Sequence, residues 1–275
     1  MDLARIAVVQ EDCKLGDIGY NLERAAALIT RAAEEGARLV LFPEMFLTGY
    51  LLSEELRTMA EDVSGASIRR LAQLAATHRI HVCTGFAERT PQSGGIFNSL
   101  VCLSERGEIL SIYRKAHLYD EEKNFFIPGN QAVVADTAIG RVGFLICYDI
   151  EFPEWSRINA LRDAQLILVA SANMEPWSAY QDTYAQARAM ENQLYVAIAN
   201  RIGRDGNFLF CGSSIVVDPM GNILTKADRQ HPALLTAEID LQRVKDARTS
   251  SLKYLQDRRA ELYGGLVKAS RTDEE

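Results

Sequence analysis

The sequence predicts an α/β protein built on mixed β-sheet, and three stretches carry that expectation. Residues 4–42 read as strand, amphipathic helix, strand. Residues 80–114 hold three apolar strands joined by short connections, and after residue 140 apolar runs again alternate with amphipathic helices. A βαβ opening demands a parallel pair buried on both faces, whereas strands joined by tight turns must be antiparallel, so one sheet holds both kinds of pair.

Taken in order, residues 4–9 form the first strand. In the following helix, residues 20–33, Leu22, Ala25, Ile29 and Ala32 share a face, and Gly36 stops it. Residues 38–42 are a continuous apolar strand that runs into Pro43-Glu44-Met45-Phe46-Leu47-Thr48-Gly49-Tyr50. A helix over residues 67–78 turns Ile68, Leu71 and Ala75 inward. Residues 80–86, 97–103 and 109–114 make the antiparallel meander, the first two joined by a Pro/Ser/Gly loop. Residues 133–136 and 142–147 pair as a hairpin closing at Ile139-Gly140, and Pro153 opens a helix with Trp155, Ile158 and Leu161 on one face. After a buried strand at residues 166–170, Ser178 and Gln181 have capping-box spacing ahead of a helix whose stripe, Tyr180, Tyr184, Ala187 and Met190, is expected to face the core. Strands at 195–199, 214–217, 223–225 and 234–239 finish the fold, with a turn over residues 218–222. Without repeats, low-complexity segments or a break in composition, one domain over residues 1–263 is expected. The tail, 264–275, is poor in apolar residues and is expected to be mobile or to contact a partner.

The chain has 275 residues, 48% of them hydrophobic and 24% charged, which is ordinary for a soluble globular protein. Its net charge of −7 and scattered basic residues give no electrostatic footprint for nucleic acid or an anionic membrane. No stretch is long and apolar enough to span a bilayer, and residues 1–10 lack the features of a signal peptide, so a cytoplasmic enzyme or binding protein is expected. Five cysteines, Cys13, Cys83, Cys102, Cys147 and Cys211, are odd in number and widely spaced, which fits neither a disulfide framework nor a zinc site. Cys83 and Cys102 sit inside apolar strands as packing residues.

Cys147 differs from the other four. In Gly143-Phe144-Leu145-Ile146-Cys147-Tyr148-Asp149-Ile150-Glu151-Phe152-Pro153-Glu154 an apolar strand stops at the thiol and a helix begins after it. A turn of that kind exposes a side chain and aims the next N–H groups at whatever the side chain attacks. Alone, the pattern fits a buried packing cysteine equally well. Glu44 stands at the carboxyl end of a buried strand, where ligand groups of such sheets collect, although a carboxylate after proline also suits a solvated turn. Lys115 closes the meander in Tyr113-Arg114-Lys115-Ala116-His117-Leu118-Tyr119 and is followed by carboxylates and aromatics, as a paired, partly buried ammonium would be. An exposed loop lysine is the plainer alternative. His117 invites a Cys147-His117 dyad, or is a structural residue at a strand end. Together a carboxylate, an ammonium and a thiol form a chemical set: base, oxyanion cation and nucleophile for acyl transfer.

The segments at residues 42–50, 113–118 and 147–154, in that order and with those separations, resemble the nitrilase superfamily of carbon–nitrogen hydrolases. The resemblance covers nearly the whole chain. It implies a four-layer α-β-β-α sandwich, a homodimer or higher homo-oligomer, and a Glu44-Lys115-Cys147 triad that works without metal or organic cofactor. It also implies a second glutamate before the aromatic-x-Pro-Gly segment, matched best by Glu122, with Glu121 adjacent, and an oxyanion donor in the Tyr148 backbone N–H. Relatives that bind a substrate carboxylate commonly carry arginine just after the Cys-x-Asp, where this chain has Ile150 and Glu151. A carboxylate there would repel an anionic substrate and attract an ammonium, unless Glu151 pairs with a nearby arginine such as Arg157. Several stretches also resemble 5-aminopentanamidases, which implies hydrolysis of a small linear aliphatic amide, an omega-amino amide among them, to acid and ammonia. Tyr50, Glu151, Asn173, Met174, Glu175 and Trp177 are the expected substrate contacts. Nitrile or N-carbamoyl hydrolysis and a non-catalytic thiol-bearing binding protein are the alternatives.

Overall fold

The computed structural model describes residues 3–90 and 94–268. Its first half contains β1 (Leu3–Gln10), α1 (Ile18–Glu34), β2 (Leu39–Leu41), α2 (Leu56–Met59), α3 (Ala66–His78), β3 (His81–Arg89), β4 (Ile96–Leu103) and β5 (Ile109–Arg114). Then come β6 (Val134–Thr137), β7 (Gly140–Ile146), α4 (Pro153–Leu161), β8 (Leu166–Ser171), α5 (Ser178–Asn192) and β9 (Tyr195–Asn200). The chain continues through β10 (Arg204–Asp205), β11 (Phe208–Leu209), β12 (Ile215–Val217), β13 (Ile223–Lys226), β14 (Ala233–Asp240), α6 (Leu241–Thr249) and α7 (Gly265–Lys268).

Two six-stranded sheets result, ordered β14-β1-β2-β3-β4-β5 and β13-β12-β9-β8-β7-β6. Both are mixed: β1-β2-β3 and β7-β8-β9 run parallel, while the meander β3-β4-β5 and the hairpin β6-β7 run antiparallel. Strand alternation builds the layers, since successive side chains point to opposite faces. Ile6 and Val8 of β1 and Leu166, Leu168 and Ala170 of β8 meet in the core between the sheets. The intervening Ala7 and Val9 pack on the α1/α3 side, and Ile167 and Val169 on the α4/α5 side. The architecture is therefore helix, sheet, sheet, helix. Asp17 caps α1 by accepting the Tyr20 N–H at 3.0 Å, and Gly36 at φ +79° ends the turn after it.

The second sheet's helices depart from the sequence expectation. Only part of the stripe Tyr180, Tyr184, Ala187 and Met190 meets the core: Tyr184 packs partly buried against it, Tyr180 and Met190 are exposed, and α5 buries Ser178, Gln181, Ala185, Arg188, Ala189 and Asn192. Polar side chains face inward because the chain beneath offers bare carbonyls. Gln181 Nε2 donates to the Gly212 and Ser213 carbonyls, and Arg188 to those of Ile150 and Glu151. Nor does Ser178 cap the helix; its hydroxyl donates to Glu175 Oε2. On α4 the buried residues are Ser156, Asn159 and Ala160, with Leu161 exposed. The hairpin β10-β11 and helix α6 have no counterpart in the sequence reading. Residues 265–268 of the expected tail form α7, with Leu266 and Val267 exposed; residues 269–275 lie outside the described residues, as do residues 91–93 of the meander loop. No helix among the described residues is long and apolar enough to cross a membrane.

Candidate active site

The carboxyl ends of β2, β5, β7 and β8 converge, and each delivers one part of a site. Glu44 follows β2 with its backbone pressed against β3, where only glycine fits: a Cβ on Gly85 would lie 2.8 Å from Glu44 Cα and 2.5 Å from the Met45 nitrogen. Lys115 follows β5, anchored by its N–H on the Asn98 carbonyl at 2.8 Å. Its Nζ donates to Glu44 Oε1 and to Glu122 Oε1, both at 2.8 Å, and all three side chains are buried. Each carboxylate oxygen has at least one further or separate donor. Asn98 Nδ2 reaches Glu44 Oε1 at 2.7 Å, the Ala172 N–H reaches Glu44 Oε2 at 2.9 Å, and Tyr50 Oη and the Tyr119 N–H reach Glu122 at 2.9 and 2.7 Å. Glu122, not the exposed Glu121, is the residue that meets the lysine.

These neighbours set the charges. Burial pushes the Glu44 carboxyl up to about 7, with the Lys115 ammonium pulling it down and Glu122 pushing it up. For Lys115 burial pulls the ammonium down, but Glu122 and Glu44 more than offset it and hold it well above its ordinary value.

Cys147 opens a 3-10 turn, Cys147–Glu151, directly after the parallel strand β7, and adopts φ +43°, a left-handed conformation unusual outside glycine. Asp149 closes that turn by accepting the Ile146 N–H at 3.0 Å. Burial and the Glu44 carboxylate push the Cys147 thiol up from its ordinary value while Lys115 pulls it down, so the resting group is the thiol. His117 is not its partner. The ring Nδ1 lies 2.8 Å from Asp149 Oδ1, and the ring stacks on Phe152 at 3.8 Å. The sulfur borders a cavity of about 200 Å³ lined by Tyr50, Tyr119, Tyr148, Glu151, Ala172, Asn173, Met174, Trp177 and Tyr180. Five of the six expected substrate contacts are in that wall. Glu175 is outside it: its carboxylate takes the Ser178 hydroxyl and lies 3.6 Å from Arg229. Among the described residues Glu151 has no ion pair with Arg157; its carboxyl is pushed up by burial, with Arg188 and Lys115 pulling it down.

Residues 5–249 match the family model described as carbon-nitrogen hydrolase. The chain belongs to the carbon–nitrogen hydrolases of the nitrilase superfamily. It is 38% identical to an (R)-stereoselective amidase of Pseudomonas sp., over 94% of this chain and 93% of the relative. It is 33% identical to an omega-amidase of Mus musculus, over 88% and 91%. An amidase from Nesterenkonia sp. superposes with a TM-score of 0.86 at 33% identity, covering 96% of both chains. Variants of that amidase have been solved in complex with butyramide and with the acetamide moiety of fluoroacetamide added covalently at the active site cysteine. This carbon–nitrogen hydrolase is thus an enzyme for non-peptide C–N bonds, hydrolysing amides with an active-site cysteine.

Three residues around the hydrolase site escaped the sequence reading. Asn98 was legible in principle, as a polar residue inside the apolar run of β4. Tyr119 and Tyr180 were not, because their place in the cavity wall depends on how a loop and a helix from distant parts of the chain come together.

Proposed function

We propose that this hydrolase cleaves small linear aliphatic amides, omega-amino amides among them, to the carboxylic acid and ammonia through a thioester on Cys147. Glu44 takes the thiol proton and the sulfur attacks the amide carbon. The Lys115 ammonium and the Tyr148 N–H, one of the leading donors that a helical turn leaves unpaired, take up the oxyanion charge. Glu44 returns the proton to the nitrogen, the C–N bond breaks and ammonia leaves. Water then attacks the thioester carbon, Glu44 accepts its proton, and the C–S bond breaks to regenerate the thiol. Glu122 holds Lys115 in place and keeps Glu44 near neutrality. The observation that carries this reading is Lys115 Nζ held at 2.8 Å from both carboxylates beside a cavity that the cysteine borders. A carboxyl near 7 serves equally as base and acid at neutral pH.

The cavity favours the substrate class. Among the described residues its wall holds the rings of Tyr50, Tyr119, Tyr148, Trp177 and Tyr180, one carboxylate, Glu151, and no basic side chain. Aromatic faces and a carboxylate attract an ammonium and repel an anion. A panel of butyramide, 5-aminopentanamide and succinamate tests it. Succinamate is expected to be the poorest, and Glu151→Gln is expected to lower kcat/KM for 5-aminopentanamide by about tenfold while leaving butyramide within about twofold. Faster turnover of succinamate than of 5-aminopentanamide would discard the charge argument. The exposed Leu161 and Met190 on the outer helices α4 and α5 support assembly with a second copy, which light scattering of the purified chain would measure.

A further inference from the structure

The sulfur and the ammonium come from different sheets, yet a thioester reaction tolerates little error in their separation. One buried carboxylate bridges the segments that carry them. Asp149 stands two residues after Cys147 and is fully buried. Its Oδ1 accepts the His117 N–H at 2.9 Å and faces His117 Nδ1 at 2.8 Å, and its Oδ2 accepts Tyr113 Oη at 2.6 Å and the Ile146 N–H at 3.0 Å. Tyr113 stands two residues before Lys115 and His117 two residues after it. A carboxylate only accepts, so Nδ1 carries the proton, and four donors fill its four lone-pair sites. Trp155 Nε1 adds a bond to Tyr113 Oη at 2.8 Å, and the His117 ring stacks on Phe152, so the helix that follows the thiol is tied to the lysine segment as well.

We propose that Asp149 is the positioning residue of this enzyme: it ties both flanks of Lys115 to the turn that holds Cys147 in its left-handed conformation, and so sets the ammonium against the sulfur. The inference rests on the reading of Cys147 and Lys115 given above. Asp149 touches no substrate and passes no proton. Its ionised form is required, because an amide in its place would always present a donor to donors. With that amide nitrogen turned toward Tyr113 the Ile146 N–H would lose its acceptor, and with it turned the other way the His117 N–H would.

The test combines Asp149→Asn, Tyr113→Phe and His117→Phe, the last keeping the ring stack while removing the ring N–H. Two readouts are used: steady-state turnover of butyramide, and the pH dependence of Cys147 alkylation by iodoacetamide followed by intact mass. Misplacement by an ångström typically costs about a hundredfold, so Asp149→Asn is expected to lower kcat by about that factor and each partner variant by about tenfold, with KM within about twofold. Because Lys115 favours the thiolate, loosening the tie is expected to move the alkylation inflection to higher pH and to slow alkylation at pH 7 by about threefold or more. If Asp149→Asn does not fold, Tyr113→Phe, which conserves volume, decides. Wild-type kcat in the folded variants, or a loss of kcat with an unmoved alkylation profile, overturns the proposal. Alkylation needs no amide, so an error about substrate leaves this test intact. Activity retained by Cys147→Ala would instead mark failure of the underlying reading.

Discussion

In the proposed mechanism the two sheets divide the chemistry between them. The first supplies the charges, Glu44 from the end of β2 and Lys115 from the end of β5, with the neutral amide of Asn98 from within β4, all buried and all bonded to one another. The second supplies the reactive atom and most of the cavity wall, from the ends of β7 and β8. The difference teaches how one site can be both buried and accessible. A lysine between two carboxylates in a buried layer has its charge fixed before substrate arrives, whereas the thiol stands where the fold opens. Beside the site the two halves are joined by Ala172 N–H to Glu44, by the contacts of Asp149 and by Trp155 Nε1 to Tyr113.

Removing the cation from the first sheet is the most severe way to break this arrangement. Lys115→Met takes away the proposed oxyanion donor and also the group that pulls Glu44 down, so the proposed base is expected to be protonated at neutral pH. A fall in kcat/KM of about 10²–10³ is expected from the donor alone. Two buried carboxylates without their ammonium also destabilise the fold, by about 3–5 kcal/mol on the scale of a broken buried pair. Glu44, already raised by burial, would then titrate still further above its unfolded value, the folded state would bind more protons across that window, and stability would fall as pH rises through it. Thermal melts are therefore expected to give a higher Tm at pH 5.5 than at pH 8, and an unchanged or reversed order would show that the cluster is not charged as described.

Glu122→Gln sharpens the comparison, because it keeps the shape of the charged layer and removes one charge from it. The substituted amide's oxygen can still accept from Lys115 and Tyr50, but its nitrogen then meets the Tyr119 N–H. A loss of about tenfold in kcat is expected from the disturbed lysine. The pH profile is the better readout. In the wild type, activity is expected to drop as pH falls through about 7, since Glu44 must be ionised to take the thiol proton. Glu122 is one of the charges that raise Glu44, so its removal is expected to move that limb to lower pH. A limb that stays in place would assign it to another group.

The same division explains what could be read in the sequence. The first sheet and its helices follow simple periodicity: Ala25, Ile29 and Ala32 of α1 and Ile68, Leu71 and Ala75 of α3 face the core as the spacing predicts. The strands that carry Glu44 and Cys147 were legible too, because a buried strand ending in a polar residue marks itself; β5, which leads to Lys115, is partly exposed and was legible from its turn in the meander. Over the second sheet the rule fails. There α5 turns Gln181 and Arg188 inward to satisfy carbonyls of segments remote in sequence, and its aromatic residues Tyr180 and Tyr184 lie on a partly open face where they line cavities beside Cys147. Periodicity sees apolarity and assigns it to the core; it has no access to which backbone groups lack a donor. The contacts of Asp149 were hidden for the same reason, since its partners at Tyr113 and His117 are more than thirty residues away.

The outer helices offer the mildest test of the contrast. Ile29 on α1 is fully buried in an apolar layer away from the site, so Ile29→Ala is expected to cost about 2–5 kcal/mol of stability and to leave the kcat of the folded enzyme within about twofold. Arg188 on α5 is buried as well, but its Nε and Nη2 donate to the Ile150 and Glu151 carbonyls at 2.8 and 3.0 Å, within the turn that begins at Cys147. Arg188→Met strands those carbonyls at about 1–3 kcal/mol each, a destabilisation of similar size. The consequence for catalysis differs, because the stranded groups belong to the nucleophile turn. At a temperature well below both midpoints, Arg188→Met is expected to lose about three- to tenfold in kcat and in the rate of Cys147 alkylation, where Ile29→Ala loses neither. Equal losses, or none in either variant, would mean that the polar inner face of α5 supports the fold alone and that the second sheet's helical layer has no part in holding the thiol.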